Sequence, residues 1–185
     1  MKKCLFLMLM MVSMSVMAQE EPIQFDEVVK AEGKSVPELY TTIKMWVATN
    51  YNSAQDVIQM DDAQNGILIC KGAFEYDHGG GMMGYVLDGW VDYTLKVQVR
   101  EGRYKVSVGN FVHKANPVKN GTYDWSLGLI TTRERAKAKG AVDARQKKAW
   151  KNLKTVCKVK AYEIIEGLKA ATEQGAGLMD TDDDW

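Results

Sequence analysis

Histidine and cysteine are scarce in this 185-residue chain, which has two of the first and three of the second. Structural zinc sites depend on ligands spaced two to four residues apart. None of His78, His113, Cys70 or Cys157 has such a neighbour, which argues against a zinc site. Cys70 and Cys157 both lie within apolar patterns and read as inert thiols, so a nucleophilic Cys–His pair lacks support. Two distant cysteines are not a disulfide framework, and a Cys70–Cys157 bridge and two buried free thiols both stay open. A Gly-Lys-Ser/Thr phosphate loop is also missing. The run His78-Gly79-Gly80-Gly81-Met82-Met83-Gly84 is followed by a strand pattern rather than a helix. It reads as a hairpin loop, with a methionine-bearing lip for a partner as the alternative. The tail from Asp180 to Asp184 lacks the glycine and final glutamate of a calcium loop and reads as a disordered acidic end. No cofactor is implied.

Long apolar runs are missing except at the start. Lys2 and Lys3 precede the uncharged stretch Leu5 to Met17, and Val16-Met17-Ala18 offers small residues just ahead of Gln19. About 13 apolar residues fall short of the roughly 20 that span a bilayer. Residues 1–18 therefore read as a signal peptide cleaved after Ala18. Cys4 precedes the apolar run and cannot be a lipoprotein acylation site. The expected destination is the periplasm or envelope, which removes cytosolic nucleic acid as a partner. The mature chain is expected to have no transmembrane span.

Net charge is close to zero, yet the charges are segregated. Residues 131–160 carry 11 basic and 2 acidic side chains, and 161–185 carry 1 and 7. The basic block 133–160 reads as the wet side of C-terminal helices. The functional alternative is peripheral association with an anionic envelope surface, at roughly 1 kcal/mol per lysine or arginine held near it.

What is present is mostly periodicity. Ile23, Phe25 and Val29 alternate with polar residues as a short strand. Ser35-Val36-Pro37-Glu38 is a capping box, followed by a helical stripe of Leu39, Tyr40, Ile43, Trp46, Val47 and Tyr51. Strands are expected at Val57–Met60, Gly66–Cys70, Tyr85–Arg100 and Arg103–His113, with a tight reversal at Asn65-Gly66. In the last strand Tyr104, Val106, Val108 and Val112 are expected on the apolar side. Residues 115–130 read as a loop. Ala149, Leu153, Val156, Cys157, Ala161, Ile164, Ile165 and Leu168 then form the stripe of a long helix within 131–174, and 175–185 is the acidic tail. The order β-α-β-β-β-β-α, with one wet sheet face, predicts an α+β fold whose helices cover one face of an antiparallel sheet.

The strand Phe25-Asp26-Glu27-Val28-Val29, the helix start Ser35-Val36-Pro37-Glu38-Leu39-Tyr40 with Trp46 and Tyr51, and the strand Gly66-Ile67-Leu68 form one set of landmarks. Val91-Asp92-Tyr93-Thr94-Leu95-Lys96-Val97 and Arg103-Tyr104-Lys105 extend it. Over about residues 23–114 these features resemble a bacterial family of exported proteins of unknown function with a TATA-box-binding-protein-like fold. The resemblance implies a domain over 19–114 and carries no catalytic residues. Nucleic-acid binding does not follow from the fold's name.

Asp88 and Asp92 share a strand face, but four residues place their backbones roughly 14 Å apart. Glycosidase carboxylates sit about 5–9.5 Å apart, so these read as solvating acids. Trp90 and Phe111 are expected on the wet face among Thr94, Lys96, Arg100, Lys105 and His113. That set is the candidate binding face for an envelope protein, peptide or glycan. A non-enzymatic binding module is thus the leading expectation. An enzyme with a site near His78 and a structural or assembly protein are the alternatives.

Overall fold

A computed structural model describes residues 20–79, 85–117, 123–134 and 143–174. The expected leader (1–18), the centre of the glycine-rich run (80–84), residues 135–142 of the basic block and the acidic tail (175–185) lie outside the described residues.

Strand β1 (Gln24–Lys30) leads to helix α1 (Val36–Asn50) and the short helix α2 (Ala54–Val57). Strands β2 (Ile58–Asp62), β3 (Ile67–Tyr76), β4 (Gly89–Arg100) and β5 (Arg103–Ala115) follow. Strand β6 (Gly128–Leu129) and the 32-residue helix α3 (Asp143–Gln174) complete the order. The sheet is antiparallel throughout, ordered β1-β5-β4-β3-β2, with β6 also on β5.

The helix cap and the tight reversal both form, the capping box only in half. The Ser35 hydroxyl accepts from the Glu38 amide (3.4 Å), while the Glu38 carboxylate lies 3.7 Å from Lys34 Nζ instead of closing the box. At the β2–β3 reversal, Asp62 accepts from the Asn65 amide (3.1 Å), and Gly66 takes φ +65°. A Cβ at Gly66 would also meet the Val99 carbonyl oxygen at 2.7 Å.

Both long helices cover one sheet face. Leu39, Tyr40, Ile43 and Val47 of α1, with Ala149, Trp150, Leu153, Cys157, Ala161, Ile164, Ile165 and Leu168 of α3, are buried. Beneath them lie Leu68, Cys70, Val91, Leu95, Val97, Tyr104, Val106 and Val108. Gly167 lets the helices close: a Cβ there would stand 2.9 Å from the Trp46 ring. The opposite sheet face is the wet one.

Three local expectations give way. Tyr85–Leu87 is a 3-10 turn rather than the start of a strand, so Tyr85 is exposed. Asp88 therefore leaves the sheet face and accepts from the His78 amide (2.8 Å). The loop expected at 115–130 contains β6, and Leu127, Ile130 and the following Thr131 are buried. Its pairing partner lies on β5, which no local periodicity announces.

The third change is in β5. Asp92 pairs with Val112 but Thr94 pairs with Gly109, so β5 holds one extra residue opposite Tyr93. Asn110 absorbs it at φ +53°. This β-bulge inverts the phase of the strand beyond it. Phe111 and His113 consequently turn into the core, both 0% exposed, and Val112 turns out. Phe111 packs edge-on against Phe25 and at a tilt of 33° against Tyr93, each with ring centroids 6.1 Å apart. Phe111 and His113 are thereby removed from the wet face.

Candidate functional site

Of the expected binding face, Trp90, Lys96, Arg100 and Lys105 remain on the wet side. Trp90 is 49% exposed, flanked in register by Glu75 and Lys114. Lys96 lies opposite Ser107, and Lys105 pairs with Asp26 at 3.1 Å. Arg100 stands opposite Arg103, which stands opposite Lys30. These four residues are spread over the length of β4 and β5 and do not converge on one pocket.

The titratable candidates separate further. His113 Nδ1 accepts from the Leu127 amide (3.0 Å), which leaves Nε2–H to donate to the Leu87 carbonyl (3.0 Å). Burial pushes its pKa down, partly opposed by the Leu87 bond and by Asp124. It acts as a clasp joining the 3-10 turn and β6 to β5. The His78 ring bonds the Tyr76 hydroxyl (3.2 Å), which also meets Asn152 Nδ2 (3.3 Å). Cys70 and Cys157 are free buried thiols. Burial raises them to about 11 and about 12, well away from a reactive thiolate. Among the described residues no group of three or more His, Cys, Asp or Glu could hold a metal ion.

The described part of the basic block is partly tied down. Lys154 Nζ bonds the Thr132 (3.1 Å) and Arg133 carbonyls, Trp150 Nε1 donates to the Arg133 carbonyl (2.9 Å), and Lys160 pairs with Glu163 (3.2 Å).

Convergence occurs elsewhere, at a seam across the sheet. Strand β2 stops pairing with β3 at Ile58–Cys70, and β1 stops pairing with β5 at Gln24–Gly109. The bulge lies on the same row, where Gly72 faces Tyr93. Gly72 is required there, since a Cβ would stand 2.5 Å from the Tyr93 ring and 2.9 Å from Tyr51. Tyr51 caps the end of α1, sits edge-on to Trp46 at 6.2 Å, and meets the Tyr93 hydroxyl at 2.9 Å. Burial raises the pKa of both tyrosines. They are therefore protonated donors, and one hydroxyl hydrogen of the pair remains to be given away.

Two depressions meet at this seam. On the wet face, a cavity of about 770 Å³ runs from Asn52, Ser53 and Asp56 over Lys71 and Ala73 to Asp92, Thr94 and Asn110. On the helix side, one of about 310 Å³ is lined by Trp46, Tyr51, Tyr93, Lys160 and Glu163. Asn50, Tyr51, Ala73 and Tyr93 border both. Sequence reading assigned Trp46 and Tyr51 to the core stripe, and the early end of β2 had no local signal.

Residues 25–114 match the model of a domain of unknown function (DUF4468) with TBP-like fold. Over these residues the chain is similar to the DUF4468 family. Solved structures agree on the fold. A TBP-like protein from Parabacteroides distasonis ATCC 8503 superposes with a TM-score of 0.58 at 11% identity, over 80% of this chain and 93% of that one. A DUF4468 family protein from Bacteroides ovatus ATCC 8483 gives 0.57 at 14%, over 82% and 86%. No curated protein matches the sequence. The DUF4468 match covers the five long strands and α1, and ends before β6 and α3. The groove floor therefore belongs to the domain, while its Lys160–Glu163 rim comes from the C-terminal helix.

Proposed function

We propose that this protein is an exported, non-enzymatic module of the bacterial cell envelope that binds another envelope component. The observation that carries the reading is the seam groove. There a tryptophan, two hydrogen-bonded tyrosines, amide side chains and an ion pair converge at an open strand edge. Ligand sites characteristically combine apolar walls with a few placed polar groups. Binding is favoured over catalysis because burial drives the perturbed tyrosines, thiols and His113 towards their neutral forms. The tyrosines serve there as donors. The leader-like residues 1–18 support an envelope address.

The test is cross-linking in intact cells, followed by recovery of the tagged chain and sequencing of its N-terminus. The expected result is a start at Gln19 and a reproducible envelope adduct. An uncleaved N-terminus retained in the cytoplasm, or no envelope partner, overturns the reading.

A further inference from the structure

Strand β3 is longer than the strand that covers it. Its pairing with β2 ends at Cys70, yet its pairing with β4 runs on to Tyr76. The ladder phase determines which peptide groups this leaves open. The Val99 amide donates to the Gly66 carbonyl (2.7 Å), which marks Gly66–Val99 as a hydrogen-bonded pair. Such pairs recur at every second residue of an antiparallel ladder. The even-numbered residues up to Tyr76 thus turn their N–H and C=O towards β4, and Ala73 and Glu75 turn theirs outward. Among the described residues no backbone hydrogen bond reaches Ala73 or Glu75 from the outer side. Both residues are exposed.

We infer that this edge accepts an extended peptide as an added strand, with Ala73 and Glu75 supplying two donors and two acceptors. This deepens the binding-module reading and rests on it. The two depressions support a strand over a compact ligand. They lie on opposite faces of the sheet and share the border at Ala73. An extended peptide alternates its side chains between faces. Laid along Ala73, it sends every second side chain towards Trp46, Tyr51 and Tyr93, and the others towards Lys71 and Asp92. Strand addition takes affinity from main-chain bonds and specificity from such alternate pockets. The partner chemistry is therefore a peptide with an apolar or aromatic residue between polar ones. Charge complements the polar positions, with Lys71 for an acidic side chain and Asp92 for a basic one, although Asp92 already pairs with Lys114.

The first test needs no ligand. In the free mature chain, the amide protons of Ala73 and Glu75 are expected to exchange at least 100-fold faster than those of Gly72 and Phe74. Equal protection means the edge is already filled and overturns the inference. The second uses a displayed library of random 12-residue peptides, selected on the mature chain alone and then measured for binding to Ala73→Pro. Proline is tolerated where the lost N–H faces an open edge, so the variant should keep its near-ultraviolet circular dichroism. Selected peptides are expected to alternate apolar and polar residues, bind Ala73→Pro at least 10-fold more weakly, and protect both amides. Peptides that bind both proteins equally, or no enrichment, overturn strand addition. If an envelope adduct still forms in cells, the broader reading survives that failure. Protection that appears with protein concentration alone, alongside a dimer mass, overturns the peptide in favour of a second copy. Should Ala73→Pro misfold, the exchange comparison in the unmodified chain decides alone.

Discussion

The row Gly72–Tyr93–Asn110 divides the sheet into two unlike halves. Towards the Glu101-Gly102 turn, β4, β5 and β1 lie in unbroken register, β3 and β2 extend the sheet beyond β4, and the apolar alternation of β4 and β5 is regular. Beyond the row β1 and β2 have ended, β5 has slipped by one residue, and only β3, β4, β5 and the two-residue β6 continue. The regular half is a scaffold in which β5, β4 and β3 are each paired on both sides. The irregular half exposes an edge and gathers the aromatic and polar side chains that face it. A sheet offers a site here because its pairing stops, while its hydrophobic support does not. Phe111, His113, Leu127 and Ile130 keep the second half packed after its outer strands have gone.

The comparison breaks most visibly at Phe111. If the alternation of β5 ran on without the bulge, Phe111 would lie on the wet face and its truncation would cost less than about 0.5 kcal/mol. Buried against Phe25 and Tyr93, Phe111→Ala should destabilise the fold by about 3–5 kcal/mol in urea titration. Trp90→Ala, on the wet face beside it, is the control and should cost under about 1 kcal/mol. Equal costs would place the phase change elsewhere.

The regular half was legible in the sequence because its signals are local. Ser35 caps its helix, β4 alternates over its whole length, and the Ala149–Leu168 stripe has helical spacing. The irregular half was not legible, since a bulge is a property of two strands. Reading β5 alone, Tyr104, Val106 and Val108 extrapolate to Asn110 and Val112. Only the Gly109-Asn110 pair, two residues that tolerate positive φ, hinted that the phase could change. The candidate face consequently kept Trp90, Lys96, Arg100 and Lys105 but included Phe111 wrongly. The seam residues Trp46, Tyr51 and Tyr93 looked like ordinary core. Where β2 stops depends on the path of the chain after α1, and alternation carries no record of that.

A smaller effect sharpens the comparison through pH. His113 clasps the irregular half together while neutral, with its pKa below the ordinary histidine value through burial. Between that lowered value and about 6.5 the unfolded chain binds the extra proton and the folded chain does not. Stability attributable to His113 is therefore complete above about pH 7 and falls as pH drops through that window, by at most about 1.4 kcal/mol per unit. Urea midpoints from pH 7.5 to 5 should decline in the native chain. The decline should flatten in His113→Gln, whose starting stability is lower because the Leu87–Leu127 clasp is weakened. An unchanged slope would assign the effect to other groups.

The smallest effect concerns the residue that makes the halves differ. Asn110 holds φ +53°, a conformation that costs most L-residues about 1–2 kcal/mol and asparagine less. Asn110→Ala should therefore lose about 1 kcal/mol. Asn110→Gly should stay within a few tenths, since relief of strain is offset by the greater freedom glycine has when unfolded. The pair matters more than either number. A cost for alanine that glycine does not share is the signature of a backbone requirement. It would show that the slip in β5 is imposed at Asn110 itself. If alanine and glycine cost the same, the asparagine side chain holds the bulge instead, and the seam depends on a side-chain contact rather than on a single left-handed residue.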